Sequence, residues 1–157
     1  MKFGSVLVAF VALTVSALAE PIPPTPSEDL QCKFLHPVAE AKTFLDLPTS
    51  VKVTFWHELD AHYGEATEAI AHRGAMFDLT GSRPDLPGRR FIRAGQVDNK
   101  WFIWFEQGGA SYRKIVLVFA ETAGQAKVIA HLDYVRENPC ALTDDLLGGH
   151  YPATSPD

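Results

Sequence analysis

A chain of 157 residues, 46% hydrophobic, is long enough to bury one sizeable core and too short for two. Its 14 basic and 19 acidic side chains leave a net charge of −5, or −6 once a leader carrying Lys2 is removed, which excludes general nucleic-acid binding. The charge is uneven: Arg73, Arg83, Arg89, Arg90, Arg93, Lys100, Arg113 and Lys114 make the middle basic between acidic flanks, a distribution that suits a protein partner or a small ligand, anions included.

Residues 1–19, with Lys2, an apolar run from Val6 to Val15 and Ala17 and Ala19 before Glu20, have the composition of a secretory signal peptide. The apolar run is about half of the ~20 residues a spanning helix needs, and no later segment is long and apolar enough, so no membrane span is expected. With no cysteine at the cut, no lipid anchor is expected there either. Residues 20–31 hold four prolines in "EPIPPTPSED" and are expected to be an extended linker. One domain is expected over 32–147, with 148–157 a flexible tail. Cys32 and Cys140, near the two ends of that domain, are expected to form a disulfide in an oxidising compartment, periplasmic or secreted.

Within the domain, "HPVAEAKTFLDLP" has proline near a helix start, an apolar stripe of Val38, Ala41 and Leu45, and Pro48 as a stop, which predicts a short helix. "SVKVTFW" alternates Val51, Val53 and Phe55 with polar residues and predicts a strand. Leu59, Tyr63, Ala66 and Ile70 then recur at helical spacing over 58–71. His57 and His62 flank this junction with Glu58 between them. A five-residue separation turns the two histidines about 140° apart on a helix and onto opposite faces of a strand, so together they cannot chelate one ion. A site using one of them with His72 or Asp78 is a lesser alternative, and no metal or cofactor is assigned.

From Gly74 onward five strands are predicted, "GAMFDLT", "RRFIRAGQV", "KWFIWFEQ", "SYRKIVLVFA" and "AKVIAHLDY", joined by short turns at Asp98–Asn99, "GGA" and "ETAGQ". The fold class is therefore α+β: one or two short N-terminal helices on a twisted antiparallel meander of four to six strands, a closed all-β barrel being the alternative. The element order is similar to that of cystatin-like or NTF2-like sheets, without a motif of either.

Registers set the faces. Pairing Val97 with Lys100, Gln107 with Tyr112 and Phe119 with Lys127 predicts a core face of Ile92, Ala94, Trp101, Ile103, Phe105, Val116 and Val118, apolar apart from Lys114 near one end. The same registers gather Arg93, Trp104, Glu106, Arg113, His131 and Asp133 on the opposite face, with Arg93 against Trp104 and Glu106 against Arg113. Such a mixed aromatic–arginine face suits an exported non-enzymatic binding protein, either an inhibitor or immunity-type protein or a small-ligand carrier. The alternative is a small secreted hydrolase or lyase using His131 with Asp133 or Glu106 as acid and base. No serine or cysteine nucleophile is placed by a motif, and no catalytic residue is assigned.

Overall fold

The computed structural model describes residues 28–63, 69–134 and 138–150; the leader, most of the linker and the end of the tail fall outside these residues. The fold is α+β. Five antiparallel strands, β1 (Ala39–Ala41), β2 (Arg89–Val97), β3 (Lys100–Gln107), β4 (Arg113–Thr122) and β5 (Gln125–Tyr134), lie in chain order in one sheet. Helix α1 (Thr49–Tyr63) precedes the main strands and helix α2 (Pro139–Leu147) follows them. The sheet is open, with β1 and β5 as its edges, so the closed barrel does not form. No helix among the described residues is long and apolar enough to cross a membrane.

The first half of the domain departs from the periodicity reading. "SVKVTFW" is the start of α1, not a strand: Val51, Phe55 and Leu59 stand four apart and are fully buried, whereas Val53, which strand alternation would bury, is half exposed. Pro48 opens the helix instead of ending one, its carbonyl accepting the first helical bond from the Lys52 amide. The predicted helix over 36–48 is replaced by β1 and a 3-10 turn at Phe44–Asp46. Strand pairing wins there because Val38 packs over Gly95 of β2, where a Cβ would come within 2.4 Å of Val38 Cγ1. Glu28–Gln31, expected as extended linker, is a 3-10 turn. The helical reading over 58–71 holds to Tyr63; residues 64–68 lie outside the described residues, and Ala71 forms a parallel bridge to Arg90. "GAMFDLT" is not a strand: Asp78 is buried in a loop, its carboxylate accepting from the amides of Thr80, Gly81, Ser82 and Arg83.

Both sheet faces are covered, which answers the aromatic run of β3. Ile103 and Phe105 join Phe91, Ala94, Ile115, Leu117 and Phe119 under α1. Phe102 and Trp104 join Ile92, Val116, Val118 and Ala130 under α2. Helix α2, absent from the sequence-based prediction, starts at Pro139 with the Asn138 side chain capping the amides of Cys140 and Ala141. The disulfide Cys32–Cys140 straps the N-terminal segment to it, with Cα atoms 5.8 Å apart.

Candidate functional site

The predicted register of β2 with β3 is observed from the turn outward: Val97 pairs with Lys100 and Arg93 with Trp104. The next register is slipped by one residue. Gln107 pairs with Arg113, not Tyr112, because the loop is five residues long and Tyr112 turns its hydroxyl back to Glu106. A one-residue slip inverts every side chain of the following strand. Bulges at 91–93 in β2 and beside Phe119 in the β4–β5 ladder shift the faces again.

As a result the six expected site residues do not form one patch. Arg93, Trp104 and Glu106 lie on the α2 side. Trp104 is fully buried, its indole Nε1 donating to Thr143 Oγ1 of α2 at 2.9 Å. The expected contact of Arg93 with Trp104 is present, with the guanidinium 5.6 Å from the indole, 4.7 Å from Phe34 and paired with Glu40. Glu106 does not pair with Arg113; it binds Arg90 and Tyr112. These interactions close a structural layer, and the tryptophan-floored groove is not formed. Arg113, His131 and Asp133 lie on the α1 side, where Arg113 pairs with Asp133 at 3.1 Å. Asp133 therefore does not orient His131.

His131 finds other partners on α1. Glu58 and His62, one helical turn apart, share a face of the helix and meet the imidazole rising from β5. Glu58 Oε1 is 3.1 Å from His131 Nδ1 and 3.4 Å from His62 Nδ1. Tyr63 Oη lies 2.8 Å from His131 Nε2, and the His62 and His131 rings stand 4.8 Å apart, edge to face. The seam is anchored below by Phe55 and Leu59, both fully buried.

The chemistry of the partners sets the protons. A carboxylate can only accept, so in the neutral imidazole Nδ1–H donates to Glu58 and Nε2 is left to accept from the Tyr63 hydroxyl. The phenol suits that role. Burial first, then the charge of Asp133, push its pKa up to about 12, although the guanidinium groups of Arg113 and Arg89 act in the opposite sense. Tyr63, His131 and Glu58 thus form one directional chain, with His62 at its open end and the Arg113–Asp133 pair beside the phenol.

Of the residues singled out in the sequence, His57 and His72 are exposed and outside this group, and Asp78 is committed to its own loop. Glu58 and Tyr63 were missed as site residues. The signal for them was Glu-x-x-x-His at 58–62, a one-faced pair on the helix already expected over 58–71; that this face meets β5 is a tertiary fact. Donor atoms of Glu58, His62 and His131 all lie within 4.8 Å of one another, a group able to hold a metal ion; it uses one of the two helix histidines, as the alternative metal reading required, but with Glu58 and His131 in place of His72 or Asp78. No family model, curated protein or solved structure matches this chain.

Proposed function

We propose that this is an exported, non-enzymatic binding protein, periplasmic or secreted, that carries a small ligand in the seam between α1 and β5. The observation that carries the reading is the convergence of Glu58, His62, Tyr63 and His131, from two rigid elements, on one partly open spot beside the apolar core that α1 covers. Polar groups withdrawn from water are costly unless each is matched, and pockets that fix a ligand have this makeup, a few placed polar groups on an apolar floor. The leader-like sequence of residues 1–19 and the disulfide support export. The carrier form is favoured over the inhibitor or immunity-type form because the broad mixed face that a protein partner would need is divided between two covered sides of the sheet.

The hydrolase or lyase reading loses support for a chemical reason. The carboxylates it needs as partners of His131 are engaged elsewhere: Asp133 pairs with Arg113, and Glu106 holds Arg90 on the α2 side of the sheet. Native mass spectrometry of the mature protein, taken from the exported fraction of its own host, tests the proposal. A chain beginning at Glu20, lighter by two hydrogens and carrying a bound mass that Glu58→Ala and His131→Ala both lose, is the expected result. A bare chain in every sample would contradict it.

A further inference from the structure

Resting on that reading of the seam, we propose that the ligand is a divalent transition-metal ion, Zn2+ or a neighbour such as Cu2+ or Ni2+, coordinated by Glu58, His62 and His131. Two imidazoles and one carboxylate are what borderline-soft ions select, whereas Mg2+ and Ca2+ require shells made of oxygen. Three protein ligands of this kind also leave a position for water or an exchangeable ligand, which suits a carrier better than a closed structural site.

Bonds of about 2.0–2.2 Å to such an ion place neighbouring donors roughly 3.3–3.5 Å apart on a tetrahedron. Glu58 Oε1 already stands 3.1 Å from His131 Nδ1 and 3.4 Å from His62 Nδ1. Glu58 and His131 expose less than a fifth of their side chains, while His62 is half exposed, so the group has a firm floor and one side open for entry. Loading asks little of the protein: His62 gives up an exposed hydrogen bond from Nδ1 to the Glu58 carbonyl, and His131 Nδ1 gives up its proton.

The partner of the remote nitrogen is in place as well. Histidine ligands ordinarily donate their other N–H to a fixed acceptor, which orients the ring and strengthens the donor. With the ion on Nδ1 the His131 proton sits on Nε2, and Tyr63 Oη at 2.8 Å accepts it. Tyr63 is thus a positioning residue rather than a ligand.

Titration of metal-free, disulfide-intact protein with Zn2+ alone, followed by calorimetry, tests the proposal. One ion per chain is expected, with no heat from Mg2+ or Ca2+ and tighter binding of Cu2+ than of Zn2+. His131→Ala and Glu58→Ala should abolish stoichiometric binding. His62→Ala, at an exposed position where folding is not at risk, should weaken it at least tenfold. Tyr63→Phe should weaken it about tenfold by freeing the ring, and His57→Ala, one residue from the site and pointing away, should change nothing. No stoichiometric Zn2+ in the wild-type chain, or binding that survives His62→Ala and His131→Ala, would overturn it. A Zn2+-silent chain that still shows the Glu58- and His131-dependent bound mass would leave the binding seam standing and remove only the metal; absence of both would remove the two together.

Discussion

Replacing Glu106 with alanine is expected to destabilise the fold by about 3–5 kcal/mol, the cost of leaving a buried partner charge uncompensated. Its carboxylate is 6% exposed and holds Arg90, itself 12% exposed, on β2. The same carboxylate accepts from Tyr112 at 2.6 Å, closing the loop that sets the β3–β4 register. Arg90 in turn lies 4.5 Å over the Phe77 ring and donates to the Ala75 carbonyl, so one carboxylate ties two loops to two strands. In urea unfolding the midpoint should fall accordingly, with a drop in melting temperature of roughly 10 °C or more. Glu106→Gln should lose less, because it keeps the shape and an acceptor for Tyr112. Pairing Glu106→Leu with Arg90→Met should recover much of the loss, since a buried ion pair often exchanges for apolar packing with little penalty. A change within about 0.5 kcal/mol for the alanine variant would show that water reaches the pair.

Removing the disulfide, by reduction or by Cys32→Ala with Cys140→Ala, is expected to lower stability by about 4–5 kcal/mol in the chain-entropy description of so long a loop. The two cysteines are 108 residues apart in sequence. The effect should be local in the native state. Cys140 is fully buried in the first turn of α2, and Phe34, two residues beyond Cys32, packs on Phe102 and Trp104 at 5.0 and 5.6 Å. Hydrogen exchange at the Trp104 indole, whose partner Thr143 is also on α2, should therefore accelerate. Amides of β5 around His131, on the opposite face, should keep their protection. A loss below about 1 kcal/mol would mean that the strap adds little to what the helix and sheet already hold.

How much of this was legible in the sequence depended on where a local rule met a tertiary one. The hairpin at Asp98–Asn99 was readable because two turn residues leave one register, and Asp98 does take a positive φ of 54°. Val51, Val53 and Phe55 fit a period of two as well as the helical spacing of Val51 and Phe55; the burial of Leu59 and the exposure of Val53 decide for the helix. The five-residue loop before Arg113 and the bulges at Ile92 and near Phe119 leave no mark in composition, yet each moves side chains across the sheet. Trp104 was therefore read on the correct strand and given the wrong surroundings. His131 was read as a site residue, but its partners lie on α1, and no local pattern tells which helix face packs against β5.

One joint, the approach of helix α1 to the imidazole on strand β5, makes the seam. Nitrogen-15 spectra of His131 in metal-free protein, recorded at mildly alkaline pH, examine it directly. A neutral ring protonated on Nδ1, with Nε2 showing the shift of a hydrogen-bond acceptor and moving toward the free value in Tyr63→Phe, is the predicted outcome. A ring protonated on Nε2, or one averaging between tautomers and indifferent to both Glu58→Gln and Tyr63→Phe, would contradict it.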